Sequence, residues 1–151
     1  METKKQYKSF RYRNDLMWKS ARRGVMSSLG KPELEVGSPP EFRGEPGVWT
    51  PEDMYVGALN ACLMLTFLSF ADRKDLGLVA YETTAEGLLE HMEGRYRITE
   101  VTVQPSVVVK SEVDLEAARE IMGRLEENCF ISNSITARVK IEPQFRVEHG
   151  D

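Results

Sequence analysis

The sequence is poor in the residues that build metal centres and disulfide frameworks. Its 151 residues include two cysteines and two histidines, too few for a disulfide-rich scaffold or for a structural zinc site built on sulfur alone. His91 and His149 stand far apart, and His91 beside Glu90 is interpreted as a solvated turn residue. We therefore expect no bound metal. The sequence also lacks a glycine-rich phosphate-binding loop and a recognisable Ser-His-Asp order, the motifs of phosphate cradling and of serine-type hydrolysis.

Positive charge is scarce outside the first 24 residues. The chain carries 20 Lys and Arg against 24 Asp and Glu, a net charge of −4, which makes it a poor candidate for binding a phosphate backbone. Residues 1–24 nevertheless have a balance of +6, and their aromatic residues include Tyr12 between Arg11 and Arg13. This pattern raises RNA binding as an alternative, but charged side chains alternating with an aromatic one are typical of a half-buried strand. We expect no nucleic-acid partner.

Charged residues are missing from residues 54–71, a run of 18 that approaches the length of a membrane span. Three polar residues interrupt the run, acids close both ends, and neither flank carries a Lys/Arg cluster to orient it in a bilayer. We interpret it as a helix buried in a soluble core or in a dimer, and we expect no membrane association. No apolar run follows the first charges, so no signal peptide is predicted and a cytoplasmic, reducing compartment is expected.

Local signals place two helices in the sequence. Thr50 as the N-cap, Pro51 at the first helical position and two acids in the first turn predict a helix that runs to about Arg73. Asp114 is predicted to cap a second helix, which ends near Asn128. The first of these helices is too apolar for a surface position, so a second copy of the chain is expected to complete its burial.

The predicted strands lie before, between and after these helices. The β-branched residues and turn signals indicate short strands between residues 16 and 36, two long strands at residues 78–90 and 95–110 joined by a Glu93-Gly94 turn, and a last strand at residues 137–147. This order of elements predicts an α+β fold with an antiparallel sheet packed around two helices, in a single domain spanning residues 1–151.

The two cysteines remain as candidates for chemistry. Cys62 lies in the middle of the first predicted helix, where composition alone favours a buried and inert thiol. Cys129 ends the second predicted helix and opens a polar Ser-Asn turn, where a more accessible thiol is expected. Two thiols in a reducing compartment can also act as a redox pair if the fold brings them together.

The segments around both cysteines resemble those of a known family. The first segment contains Trp49-Thr50-Pro51-Glu52-Asp53 and then Gly57-Ala58-Leu59-Asn60-Ala61-Cys62. The second is Cys129-Phe130-Ile131-Ser132-Asn133, and an upstream loop reads Pro39-Pro40-Glu41-Phe42-Arg43-Gly44. These segments resemble the two cysteine motifs and the loop of the OsmC/Ohr family of thiol-dependent organic hydroperoxide reductases. The resemblance covers about residues 18 to 141.

The resemblance implies an OsmC-like fold, an intertwined homodimer of α+β subunits in which antiparallel sheets wrap around central helices. It implies a cysteine-based, peroxiredoxin-like enzyme, an organic hydroperoxide reductase of the stress response. Cys62 would attack the peroxide, and Cys129 would resolve the sulfenate to an intramolecular disulfide. No cofactor is expected beyond an external dithiol reductant, for example of the lipoyl type. The expected partners are a second copy of the chain, a small apolar hydroperoxide and that dithiol.

The resemblance also assigns an arginine and a glutamate to the site. The glutamate is Glu52, and the arginine is Arg23, with Arg22 as the alternative. A guanidinium beside the sulfur would stabilise the thiolate, and a carboxylate could hold that guanidinium in a bidentate pair. The first helix, together with Phe42 or Trp49, would supply an apolar wall that favours alkyl hydroperoxides.

Spacing leaves two possibilities for Glu52. Ten residues separate it from Cys62, roughly 15 Å along a straight helix, so one helix cannot bring both to the same sulfur. Either Glu52 folds back at the helix start or it comes from the partner subunit.

Two other functions also stay open: the pocket could hold a fatty acyl or other apolar ligand without catalysis, or Cys62 could hydrolyse esters with Cys129 dispensable.

Overall fold

The computed structural model describes residue 3 and residues 5–149 of the chain. The chain divides into two compact units, one ending at Pro51 and the other beginning at Glu52. The described residues form seven β-strands and three α-helices, so the predicted α+β class is confirmed. The prediction of a single domain over residues 1–151 stays a prediction.

The N-terminal unit is built on a three-stranded antiparallel sheet. The strands lie in sequence order and are β1 (Asp15–Ser20), β2 (Arg23–Ser27) and β3 (Leu34–Gly37). Beyond the sheet, a 3₁₀ turn at Pro40–Phe42 starts the loop that leads to Trp49. The carbonyl oxygen of Trp49 accepts the N–H of Gly37 at 2.9 Å, which returns the end of the loop to the sheet. The short strands predicted between residues 16 and 36 are confirmed.

The second unit begins with the long apolar helix α1 (Pro51–Arg73), whose bounds agree with the prediction. Its buried residues lie on one stripe with a spacing of four and are Leu59, Leu63, Phe67 and Ala71. A spacing of four places side chains on the same helix face, and this face packs on the core. The opposite face stays apolar without being covered, and Leu65 is 59% exposed.

Length and composition alone would allow α1 to cross a bilayer, and no other helix in the described part of the chain meets that test. The core helix of a soluble protein meets the same test. Only 22% of the apolar window in α1 is buried within the structure. The expectation of a second copy rests on the remainder of this window, which the single chain leaves uncovered.

A long hairpin forms the larger part of the second sheet, with its second strand in the centre. Its strands are β4 (Leu78–Met92) and β5 (Arg95–Val109), antiparallel along their whole length. The connection is the predicted Glu93-Gly94 turn, in which both residues have positive φ (51° and 82°), as a two-residue type I′ hairpin requires. Helix α1 lies close to β4: a Cβ on Gly87 would come within 2.6 Å of the Val56 side chain. Only glycine permits this approach at that position.

Two shorter helices follow the hairpin. They are α2 (Glu112–Met122) and α3 (Leu125–Asn128), so the helix predicted to end near Asn128 is broken after Met122. The prediction that Asp114 is the N-cap is wrong, because Ser111 takes that position and accepts the N–H of Asp114. Asp114 instead accepts the N–H of Gly77 at 2.9 Å and the Ser111 hydroxyl at 2.7 Å. These bonds hold the pKa of Asp114 below its ordinary value.

The last strands correct the prediction of a purely antiparallel sheet. The predicted strand at residues 137–147 is divided into β6 (Arg138–Ile141) and β7 (Gln144–Val147), and both run parallel to β5. The reason is the crossover: α2 and α3 carry the chain from one end of β5 back to the other, as a parallel pair demands. Pro143, which lies between β6 and β7, has no N–H for a continuous ladder.

The hydrophobic core lies between α1, the sheet and the two shorter helices. Its fully or almost fully buried members include one cysteine and several valines of β5, and they are Leu59, Leu63, Phe67, Val101, Val103, Val107, Val109, Ala118, Ile121, Leu125 and Cys129. Cys62 is among the partly buried residues that pack against this core.

Candidate active site

Cys62 lies half-buried in the middle of α1, beside the buried stripe and directly before Leu63. Its sulfur is therefore held by a rigid helix at the margin of the core. The thiol is free, so it is available for chemistry.

Cys129 lies at the C-terminal end of α3 and is fully buried, with a relative exposure of 0%. The expectation of a more accessible thiol at this position is wrong. The turn does reach the surface, but the exposed residue is the next one, Phe130, at 81%. Because Cys129 itself points into the core cluster, the polar sequence that follows it gives a misleading signal.

The turn after Cys129 has a compact set of hydrogen bonds. The N–H of Cys129 donates to the Glu126 carbonyl at 3.3 Å, and the Cys129 carbonyl accepts the N–H of Asn133 at 3.0 Å. The N–H of Ser132 donates to the Cys129 sulfur at 3.4 Å. The helix thus ends in a tight 3₁₀ turn that fixes both the thiol and the neighbouring backbone amides.

The two sulfurs are hydrogen-bonded to each other, although 66 residues lie between the two cysteines. Burial raises the pKa of the Cys62 thiol, but hydrogen bonds to its sulfur outweigh that effect, so that the pKa lies below its ordinary value. The donors are the Cys129 thiol, the Ile131 N–H, the Thr66 hydroxyl and the Phe130 N–H. The arrangement raises the fraction of Cys62 that is ionised to the thiolate, compared with an ordinary thiol at the same pH.

The pKa of the Cys129 thiol is shifted in the opposite direction. Burial, followed by its hydrogen bond to Cys62, raises the pKa of the Cys129 thiol to about 11. The negative charge that Cys62 carries when ionised adds to the effect, while the N–H of Ser132 opposes it. The pair therefore ionises in a fixed order, with a thiolate at Cys62 beside a protonated thiol at Cys129. This order of ionisation matches the roles expected from the resemblance, in which Cys62 attacks as a thiolate and Cys129 acts afterwards.

Both candidate arginines lie in the N-terminal unit and have partners there. Arg22 donates to the Phe42 carbonyl oxygen at 2.8 Å. Arg23 forms ion pairs with Glu45 at 3.0 Å and with Glu35 at 3.6 Å. The sequence analysis did not identify these two acids. Alternation along β3 could have indicated Glu35, but no local pattern marks Glu45.

Two further residues of the N-terminal unit were expected to line the pocket. Phe42 ends the 3₁₀ turn and is 42% exposed, and Trp49 is 54% exposed. The roles of these aromatic residues and of the two arginines stay predictions.

Glu52 is the second residue of α1, and the helix continues without a break through Cys62. The possibility that Glu52 folds back at the helix start is therefore wrong, because the glutamate is itself part of the helix. Its Oε2 atom is shielded from solvent and has no hydrogen-bond partner among the described residues. A buried carboxylate oxygen without a partner is costly, and none of the described residues supplies a donor to this one.

The sequence analysis missed three contributors to the site: Thr66 and the backbone amides of Phe130 and Ile131. Thr66 could have been found, because it follows Cys62 by four residues and so shares its helix face. The two backbone amides could not have been found in this way, because an amide N–H has the same chemistry whichever side chain its residue carries. Across residue 3 and residues 5–149, no three metal-ligating side chains cluster, and the site reads as a pair of thiols.

Comparison with known proteins identifies relatives by sequence and by fold. Residues 44–144 match the family described as OsmC-like protein. A Bacillus subtilis relative, the uncharacterized protein YmaD, is 28% identical over 119 residues, covering 76% of this chain and 79% of the relative. An OsmC-like protein of unknown function from Vibrio cholerae superposes with a TM-score of 0.82 at 25% identity, covering 89% of this chain and 99% of that one.

An organic hydroperoxide resistance protein OsmC from Legionella pneumophila has the same fold. The TM-score is 0.66 at 21% identity, over 92% of this chain and 100% of that one. The fold predicted from the resemblance is thereby confirmed, while the homodimer stays a prediction. With a family match over two thirds of its length, centred on the segment that carries both thiols, the chain belongs to the OsmC-like protein family.

Proposed function

We propose that the protein is a thiol-dependent peroxidase that reduces organic hydroperoxides to alcohols by a two-cysteine mechanism. The observation that carries the proposal is the hydrogen-bonded pair of thiols whose pKa values are displaced in opposite directions. Cys62 supplies the thiolate, and Cys129 lies next to it as a protonated thiol.

The proposed reaction has three steps, which are attack on the peroxide, formation of a disulfide and reduction of that disulfide. The Cys62 thiolate attacks one peroxide oxygen, the O–O bond breaks, and the alkoxide leaves and takes a proton to become the alcohol. Cys62 is now a sulfenic acid. Cys129 attacks its sulfur, the S–O bond breaks, and water leaves as the Cys62–Cys129 disulfide forms. An external dithiol, for example of the lipoyl type, then reduces the disulfide, and both cysteines return to thiols.

An organic rather than an inorganic peroxide suits the surroundings of Cys62. Leu65 lies three residues further along α1 and is exposed, and Phe130, whose N–H donates to the Cys62 sulfur, is 81% exposed. These apolar side chains favour an alkyl group next to the reacting oxygen. The Legionella pneumophila relative carries a name for organic hydroperoxide resistance, which supports the same substrate class.

The remaining roles extend this proposal. A guanidinium, from Arg23 or alternatively Arg22, would orient the peroxide and stabilise the charge that develops on the alkoxide. Glu52 of the partner subunit would hold that guanidinium, since Glu52 in the same chain is about 15 Å away along α1. Its unpartnered carboxylate oxygen is suited to accept such a donor. We place the activity in the cytoplasm, where dithiol reductants are present.

Dimer formation is expected because apolar surface stays uncovered in the single chain. Leu65 on α1 is 59% exposed and Trp18 on β1 is 76% exposed. Sedimentation at micromolar concentration should show a dimer, and Leu65→Glu should shift it towards a monomer because it adds a charge to the apolar face of α1. Val113→Glu, at an 81% exposed position on α2, is the matched control and should stay dimeric. A soluble wild-type monomer would contradict the expectation.

The function is tested by the product that one equivalent of peroxide leaves on the protein. Cumene hydroperoxide added to reduced protein should yield cumyl alcohol and a disulfide between Cys62 and Cys129 within one chain. Peptide mapping by mass spectrometry, without reduction, identifies that disulfide. Turnover should continue when a dithiol is present in excess. Peroxide loss at the uncatalysed rate, with both thiols still free, would exclude the proposed function.

A further inference from the structure

Thr66 is the one polar side chain on α1 that contacts Cys62 and that the proposed mechanism leaves without a role. Its hydroxyl lies 2.7 Å from the carbonyl oxygen of Cys62, one helical turn earlier. Side chains on a helix point towards its N-terminus, which brings the hydroxyl back over the Cys62 turn. Thr66 is half-buried, so water does not simply replace this contact.

The hydroxyl has two acceptors within the same residue. It donates to the Cys62 carbonyl oxygen, and it also reaches the Cys62 sulfur as a hydrogen-bond donor. A hydroxyl carries one proton and can donate to one acceptor at a time. A neutral thiol is a weak acceptor, whereas a thiolate is charged and forms stronger hydrogen bonds. The preferred acceptor therefore changes when Cys62 ionises.

The other donors to the Cys62 sulfur come from outside the helix. Cys129, Phe130 and Ile131 all belong to the turn after α3. Cys129 ceases to be a donor when it loses its own proton, and the adjacent amides are tied to the same turn. Thr66 is attached to the same rigid helix as Cys62, so its distance from the sulfur does not depend on the state of that turn.

We propose that Thr66 is a positioning residue for Cys62, its hydroxyl turning from the Cys62 carbonyl oxygen to the Cys62 sulfur when the thiol loses its proton. The hydroxyl thereby supplies a donor to the thiolate from within α1. This inference deepens the proposed function and rests on Cys62 being the attacking thiol. A purely structural role would end at the bond to the carbonyl oxygen, a common way for a threonine to satisfy its hydroxyl inside a helix.

The test compares Thr66→Val, which keeps the shape but lacks the hydroxyl, with Thr66→Ser, which keeps the hydroxyl. The rate of Cys62 alkylation by iodoacetamide is measured against pH, with the modified peptide identified by mass spectrometry. In Thr66→Val the apparent pKa of Cys62 should rise by roughly one pH unit, because a hydrogen bond to a charged group is lost. Alkylation at pH values below that pKa should slow roughly tenfold, with the same plateau at alkaline pH. Thr66→Ser should keep the wild-type profile.

Thr83→Val is the matched control. Thr83 is also half-buried and also uses its hydroxyl in a hydrogen bond, to Asn60 at 3.0 Å, and Cys62 is not its partner. Its profile should match the wild type. Thr66→Ala repeats the deletion if Thr66→Val folds poorly, as judged by circular dichroism. A Thr66→Val or Thr66→Ala profile that coincides with the wild type, or an equal shift in Thr83→Val, would overturn the inference.

The same data separate this inference from the proposed function. An ordinary wild-type pKa for Cys62, near 8.5, would exclude the activated thiol itself. A low wild-type pKa that does not change in Thr66→Val and Thr66→Ala would leave the peroxidase in place and remove only the role of Thr66.

Discussion

Cys62→Ser should reduce the consumption of cumene hydroperoxide in the presence of a dithiol to the uncatalysed rate. The hydroxyl of serine does not ionise near neutral pH, so the four hydrogen bonds that stabilise a thiolate at this position have no anion to stabilise. The loss should therefore be complete, and a partial decrease is not expected. Steady-state assays of peroxide loss at several protein concentrations measure it.

Two controls test whether the loss of activity in Cys62→Ser is due to the missing thiol. Far-UV circular dichroism and sedimentation should match the wild type, because the change from sulfur to oxygen is small and Cys62 is only partly buried. Ser69→Ala, which alters an exposed residue on the same helix, should keep full activity. If Cys62→Ser retained substantial turnover, another group would have to perform the attack, and the peroxidase mechanism would be wrong.

Cys129→Ser should consume the first equivalent of peroxide as the wild type does and should then fail to turn over with a dithiol. The attacking thiolate is still present, but no second thiol lies next to the sulfenic acid to capture it. With excess peroxide, Cys62 should go on to the sulfinic acid, which a dithiol does not reverse. Mass spectrometry should show a gain of two oxygens on the Cys62 peptide, whereas the wild type should show the disulfide. Normal turnover in Cys129→Ser would make Cys129 a structural residue.

In the wild-type protein, pH should separate the two steps. Attack by Cys62 should level off at a lower pH than attack by an ordinary thiol would, because hydrogen bonds to its sulfur lower its pKa. Closure of the disulfide needs the Cys129 thiolate, and burial raises the pKa of Cys129 to about 11, so closure should accelerate as the pH rises. Oxidation of Cys62 removes its negative charge, which lowers the pKa of Cys129 during the step itself. Burial remains, so the alkaline dependence should persist in stopped-flow measurements.

The sequence contained enough local information to predict α1 and the long hairpin. Pro51 and the acids after it mark the start of the helix, and Glu93-Gly94 marks the turn, because each depends on the conformations of a few adjacent residues. The parallel course of β6 and β7 could not be read in this way. It depends on where the α2–α3 crossover returns the chain, which is a property of the whole sheet.

The candidate site also combines features that the local sequence predicts with features that depend on the whole fold. Both cysteines could be selected from the sequence, and the resemblance paired them, but composition predicted Cys62 to be inert and Cys129 to be accessible. The burial of Cys129 follows from the way α3 packs, and the stabilisation of Cys62 uses the amides of Phe130 and Ile131. Amides have the same chemistry in almost every residue, so only the three-dimensional structure shows which of them point at a sulfur.

The wide separation of the two cysteines along the chain affects the final step of the proposed cycle. A disulfide between them would close a loop over the 66 intervening residues and restrict the unfolded chain, which in the loop-entropy description stabilises the oxidised fold by about 4 kcal/mol. Relative to the same disulfide in the unfolded chain, this stabilisation lowers the reduction potential of the folded protein by roughly 90 mV. The folded oxidised protein would then resist weak single-thiol reductants better than its unfolded chain would. A dithiol whose own ring closure drives the exchange would be the suitable electron donor.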